Sequence, residues 1–377
     1  MKKKTLALLM AVSMTAAMLA GCGSGGSGTS ADNTTSTDNA AEGTAQTEDT
    51  TQASDDGAAD VGGESEGAVY KVGIVQFVDD ASLNQIESAI EKELDAKAAE
   101  LGVTFNYSDY TYNGQADSTV LNQIATELIA SEVDVIVPIA TPAAMIIQNA
   151  TEDNQIPVVF SAVSDPEGSG LVASNSAPGS NITGTSDALN TDAVMDLIFA
   201  ANPDITTVGL LYSKSEDSSR LPVEAAKAYC KAEGVEVVEK TGTTNDEVSL
   251  AADALVAEGV EAVFTPTDNT VMTAELAIYE KFIEAGVPHY CGADSFALNG
   301  AFLGYGVNYE ELGTATADMV VEILVNGADP ASTAVVTLDN GIATVNTETA
   351  QAIGLDYSMF AGMCAELKEI TTAEEFE

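Results

Sequence analysis

From Tyr70 onward, short β-branched runs alternate with stretches whose apolar residues recur every three or four positions. Val72-Gly73-Ile74-Val75-Gln76-Phe77 reads as a first strand, apolar at nearly every position as a strand buried on both faces should be. The next segment sets Leu83, Ile86, Ile90, Leu94 and Leu101 along one helical stripe before Gly102 stops it. The unit then repeats, with strands predicted over 103–107, 134–139 and 157–161 and helices over 118–131 and 142–150. A Gly/Ser/Pro-rich passage through Pro178 and Gly179 precedes a second series, with strands over 208–212, 235–238 and 262–265 and helices over 191–200, 221–233, 247–258 and 273–284. A strand over 302–307, a helix over 310–325 and a hairpin joining 335–337 to 342–344 around Asp339-Asn340-Gly341 complete the pattern. Alternation of this kind predicts an α/β fold with parallel sheets covered by helices.

The two series echo each other. Gly102-Val103, Val133 to Val137 and Ile156-Pro157-Val158 return as Gly234-Val235, Val260 to Phe264 and Val287-Pro288-His289. A repeat well over a hundred residues long predicts two similar lobes rather than a solenoid. The late elements are too few for a third domain and return to complete the first two.

The segment before Tyr70 has a different character. Lys2, Lys3 and Lys4 precede an apolar stretch from Leu6 to Leu19, too short and too dotted with small polar residues to span a bilayer, and Leu19-Ala20-Gly21-Cys22 follows. This resembles a bacterial lipoprotein signal, which implies removal of residues 1–21 and attachment of lipid to Cys22. Residues 22–68 then read as an acidic, Gly/Ser/Thr-rich tether without the apolar surface needed to offset the entropy of ordering it. The expectation is an extracytoplasmic protein anchored by lipid to the outer face of the cytoplasmic membrane.

Charge narrows the partners. The chain carries 13 basic against 59 acidic residues, which argues against nucleic acid or anionic lipid surfaces. Cys230, Cys291 and Cys364 are isolated and read as small hydrophobes, with a disulfide left open. His289, the only histidine, has no ligand spacing around it and reads as structural, so no metal or cofactor is expected. No nucleophile elbow or phosphate loop is present, although a hydrolase working through two carboxylates stays open by count alone.

Six short stations carry a family resemblance: Val75 to Val78, Ile139 to Ala144, Val163 to Pro166, Asn181 to Asp187, Leu211 to Asp217 and Thr265 to Thr270. In order and at compatible spacing they resemble the substrate-binding lipoproteins of ABC importers, in the group that binds tryptophan and other aromatic amino acids. The resemblance implies a type I periplasmic-binding-protein fold of two Rossmann-like lobes joined by three crossovers, expected near Gly184, Gly292 and Asn326. The lobes would comprise 69–184 with 293–326 and 185–292 with 327–365, leaving 366–377 as a tail. It also implies a monomer that is not an enzyme, clamps a small amino acid and serves a permease and an ATPase. A sensor passing its closed form to a membrane receptor is the alternative use of such a fold.

Each station follows a strand, where open α/β sheets bind ligands. Thr141, before Pro142, offers a hydroxyl and the N–H groups of Ala143 and Ala144 to a carboxylate, although the same hydroxyl could cap its own helix. Asp187, Glu216, Asp268 and Asn269 are candidates for an α-ammonium, the stations add Asp165 and Ser213, and Asp294, outside them where the family pattern is less firm, is a further ligand-binding candidate. Phe77 and Tyr212, with Tyr305 as a third, are candidate walls for a flat side chain, an aliphatic one being the alternative.

Overall fold

The computed structural model describes residues 67–373, 375 and 376; the predicted leader, Cys22 and the tether lie outside them. The chain first runs β1 (Val69–Gln76), α1 (Ala81–Leu101), β2 (Thr104–Asn106), β3 (Thr111–Asn113), α2 (Ser118–Ala130), β4 (Val135–Ile139), α3 (Thr141–Thr151), β5 (Val158–Phe160) and β6 (Ile182–Ser186). It continues through α4 (Thr191–Ala201), β7 (Thr207–Tyr212), α5 (Arg220–Glu233), β8 (Glu236–Thr241), α6 (Asn245–Glu258), β9 (Ala262–Thr265), α7 (Asn269–Met272), α8 (Glu275–Ala285), β10 (His289–Cys291), α9 (Asp294–Leu298) and β11 (Leu303–Gly306). It ends with α10 (Tyr309–Leu324), β12 (Val336–Thr337), β13 (Ile342–Asn346), α11 (Thr347–Ile353) and β14 (Glu366–Ile370).

Two seven-stranded sheets organise these elements, one per lobe. The first has the order β12-β6-β5-β4-β1-β2 and is parallel throughout, with β3 taking over from β2 beside the carboxyl half of β1. The second has the order β14-β13-β11-β10-β9-β7-β8 and is parallel except where β13 meets β11. Every residue of β4 is buried, which is why its sequence is continuously apolar instead of alternating. The stripe predicted on α1 is also buried at Leu83, Ile86, Ile90 and Leu94; Asp80 caps the start of this helix and Gly102, at φ 68°, ends it.

Strand membership corrects several expectations. β12 pairs with β6 in the first sheet and β13 with β11 in the second, so the hairpin over 335–344 does not form. Asp339-Asn340-Gly341 instead carries the chain from one lobe to the other. β11 lies beside β10, so residues up to Gly306 stay in the second lobe and the crossing falls at 307–308 instead of at Gly292. α10 then packs along α1 in the first lobe, and the last crossing comes at 338–341 instead of at Asn326. The first crossing follows Ser186 by a few residues, a little beyond Gly184. Residues 366–370 are not a tail, because β14 pairs with β13 over its whole length.

Periodicity marks a strand over 302–307 but carries no sign of which sheet β11, Leu-Gly-Tyr-Gly, joins, and β6, Ile-Thr-Gly-Thr-Ser, has a composition that reads as a loop. In β11 the glycine is a packing requirement, since a Cβ at Gly304 would lie 2.0 Å from the Ala293 carbonyl oxygen. No helix among the described residues is long and apolar enough to cross a membrane.

Candidate functional site

The carboxyl ends of the parallel strands from both lobes converge on one narrow slot. The first lobe contributes Asp80 and Ser82 after β1, Ala140 and Thr141 after β4, Ala162 and Ser164 after β5, and Asp187 after β6. The second lobe contributes Thr267, Asp268 and Asn269 after β9, Ser295 and Phe296 after β10, and Tyr309 reaches the slot from the crossing that follows β11. The lobes are closed on each other, and the volume open to the centre of a water-sized sphere is only about 30 Å³.

Backbone strain marks the first lobe's rim. Ala140 adopts φ 80° and ψ 152°, and Ala162 φ 54°, conformations that cost an alanine about 1–3 kcal/mol and persist where surrounding structure imposes them. At Ala140 the bend turns the chain directly from β4 into α3, so that this helix begins at the slot. Its first residue is Thr141, whose buried hydroxyl has no hydrogen-bond partner among the described residues, so the alternative that it caps its own helix is not realised. Ala143 and Ala144 are packed in the core, and the Ala144 N–H already donates to the Ala140 carbonyl at 3.1 Å, which removes it from the expected anion site.

The charged residues lining the slot are all carboxylates. Burial lifts Asp187 from the ordinary 3.8 to about 6, and its only side-chain partner among the described residues is the Ser164 hydroxyl, donating at 3.0 Å. Asp80 is likewise raised to about 6, chiefly by burial; one of its oxygens accepts from the Leu83 N–H at 3.0 Å and the other has no partner. Asp268 is also raised by burial, but its oxygens are engaged by the N–H groups of Ser213 and Val271 and the Ser219 hydroxyl. It therefore serves first to knit the β7 and β9 ends together. Leu83, Met272, Phe296 and Tyr309 supply the larger apolar surface.

Of the residues expected from sequence, Thr141, Asp187, Asp268 and Asn269 line the slot. Ser213 and Glu216 sit behind it: Ser213 holds Asp268, and Glu216 accepts from Asn269 and Thr270 at 3.2 Å each, with burial and the neighbouring Asp268 raising it to about 7. Phe77 is buried in the first lobe's core and is not a wall. Tyr212 and Tyr305 are buried in the second lobe's core; the Tyr212 hydroxyl donates to Glu239 on β8 at 2.8 Å, which turns it away from the other lobe. Asp165 and Asp294 reach across the lobes without lining the slot. Asp165 pairs with Arg220 at 3.0 Å, and Asp294 accepts from Ser82 at 2.6 Å while the Ser295 N–H donates to Ser82 at 3.2 Å. His289 is buried between Glu275 and Thr265, at 3.1 and 2.8 Å, as a structural histidine. Cys230, Cys291 and Cys364 form no disulfide among the described residues.

Sequence reasoning missed Asp80, Ser82, Ser164, Ser295, Phe296 and Tyr309. The signal that selected the others was available for them as well, because each follows a strand end, but a misjudgement of three residues at the end of β1 exchanges the rim residue Asp80 for the core residue Phe77.

Two open-sheet lobes closing strand ends on a small slot define a clamshell for a small solute. The comparisons agree with that class. Residues 71–359 match the family described as ABC transporter substrate binding protein. A tyrosine-binding protein of Clostridioides difficile (strain R20291) is 31% identical over 284 residues, covering 75% of this chain and 81% of the relative. Among solved structures, an ABC domain in complex with L-Trp from Streptococcus pneumonia aligns with TM-score 0.72 and 30% identity over 80% of this chain and all of that one. The ligand-free, open structure of a Clostridium difficile substrate-binding protein with adhesive properties aligns with TM-score 0.62 and 31% identity over 81% of this chain and all of that one. At nearly equal identity the described arrangement lies nearer to the L-Trp complex. The chain belongs to the ABC transporter substrate-binding protein family.

Proposed function

We propose that the protein binds an α-amino acid with an aromatic side chain between its lobes and presents it, as a monomer, to a permease and its ATPase outside the cytoplasmic membrane. The observation that carries this reading is a slot lined by carboxylates, with neither Lys nor Arg, that also holds an unpartnered Thr141 hydroxyl at the start of an eleven-residue helix. An α-ammonium meets Asp80 and Asp187, the two carboxylates with the fewest partners. An α-carboxylate meets the Thr141 hydroxyl and the free amide end of α3, where the helix dipole favours negative charge. Phe296, Tyr309 and Met272 contact the side chain, and flat rings gain from offset or edge contacts with the two aromatic residues. The L-Trp complex and the tyrosine-binding relative support the aromatic class.

Closure of the slot to about 30 Å³ means that ligand enters an opened form and is then enclosed. Lipid on Cys22 supplies the anchor in this reading, supported by the Leu19-Ala20-Gly21-Cys22 sequence behind a basic and apolar leader. Titration calorimetry with L-tyrosine, L-tryptophan and L-leucine, alongside tyramine and 3-(4-hydroxyphenyl)propionate, tests the assignment. One-to-one binding of an aromatic amino acid, weakened at least tenfold by loss of either charged end, is the expected result. Absence of binding by every amino acid tried would overturn it.

A further inference from the structure

Arg220 is the only arginine in a chain with 59 acidic residues, and its position is specific. It opens α5 in the second lobe and reaches Asp165 of the first lobe, Nη2 to Oδ2, at 3.0 Å. The other Asp165 oxygen accepts the Gly168 N–H at 2.8 Å, so the carboxylate is fixed before the guanidinium arrives. Gly168 makes the pair possible. A Cβ there would lie 1.8 Å from Asp165 Oδ2 and 2.3 Å from Arg220 Nη2, although the backbone at this position is not left-handed and would accept another residue. The lack of a side chain at 168 is thus explained by the space the ion pair needs.

The pair stands beside the way into the slot. Ser164 and Ser218 line both the inner slot and an outer chamber of about 300 Å³, whose walls include Asp165, Leu189, Leu221 and Pro222. A molecule leaving the slot on this side passes between two serines, each within two residues of the ion pair in sequence.

We propose that Arg220 and Asp165 form an interlobe latch across this passage, favouring the closed arrangement and slowing ligand release. The part concerning release rests on the amino-acid reading above; the part concerning closure does not. Half of the arginine side chain is exposed, so the latch is weak and screened by salt. A pair of that kind alters an open–closed ratio by roughly two- to fivefold.

The test uses Arg220→Ala, which removes the charge, and Gly168→Ala, which keeps both charges and displaces them. Release of radiolabelled L-tyrosine into excess unlabelled ligand should accelerate two- to fivefold in each variant. High salt should accelerate wild type by a similar factor and Arg220→Ala hardly at all. Equal release from wild type and both variants, or equal salt acceleration in wild type and Arg220→Ala, overturns the latch. Closure is measured separately without ligand, by pulsed electron paramagnetic resonance between spin labels at Asn122→Cys and Asp246→Cys, with Cys22 and Cys364 replaced by Ser. A longer mean distance in Arg220→Ala supports the latch, and an unchanged distribution overturns it. If no amino acid binds, this second measurement decides the latch on its own while the amino-acid reading fails.

Discussion

Replacing Asp187 by Asn should strengthen the ligand-free fold and weaken ligand binding, and the two effects have one cause. Burial raises Asp187 from 3.8 to about 6, so between those values the folded state holds a proton that the unfolded state has released. Stability contributed by this residue therefore falls as pH rises from about 4 to about 6 and stays low above that. Two pKa units at about 1.4 kcal/mol each set a ceiling of about 3 kcal/mol on the loss. Asparagine carries no charge and keeps an oxygen to accept from Ser164, which donates at 3.0 Å in the parent. The variant should gain about 1–3 kcal/mol near pH 7.5, or roughly 2–6 °C in Tm, and nothing near pH 4. Added L-tyrosine should reverse the order, because an ammonium offsets the desolvated carboxylate only where one exists; a loss of at least tenfold in affinity is expected. Scanning calorimetry of both proteins at the two pH values, with and without ligand, measures all four quantities. A variant no more stable than the parent near pH 7.5, or one equally stabilised by ligand, would refute the reasoning.

Thr141→Val removes a buried hydroxyl that has no partner, so stability should hold or rise slightly while affinity for L-tyrosine falls about tenfold, as calorimetry would show. Ala140→Gly relaxes the positive φ of 80° and should raise Tm, with a net gain of about 1 kcal/mol after the entropy of glycine is counted. Cys22→Ala should move the protein from the membrane fraction to the medium, readable by immunoblot of fractionated cells; retention at the membrane would remove the lipid anchor from the account.

The fold was legible where burial leaves a long trace. β1, β4, β7 and β9 carry apolar runs, α1 and α10 carry helical stripes, and the two-lobe repeat follows from their order. Boundaries between lobes were illegible because the strands at the crossings are short, polar or glycine-containing, as in β6, β11 and β12. An Asn-Gly pair placed as in a hairpin turn at 340–341 proved to lie on a crossing, since its flanking strands found partners in different sheets. At the site, strand-end logic selected Thr141, Asp187, Asp268 and Asn269, which line the slot. It could not say that Asp268 Oδ2 is already taken by Ser213 and Ser219, or that the Tyr212 hydroxyl turns toward Glu239, because both depend on neighbours more than twenty residues away.

Neither lobe is built from a continuous stretch. The first sheet needs β12 at its edge and α10 packed on α1, and the second gains its last strand only at Glu366–Ile370. A nascent polypeptide interrupted before residue 336 would therefore lack part of both halves, and final assembly waits until nearly the whole length is available. Such late completion keeps the chain pliable during synthesis, a physical advantage for any polypeptide that must be threaded through a narrow translocation channel before it hardens into shape.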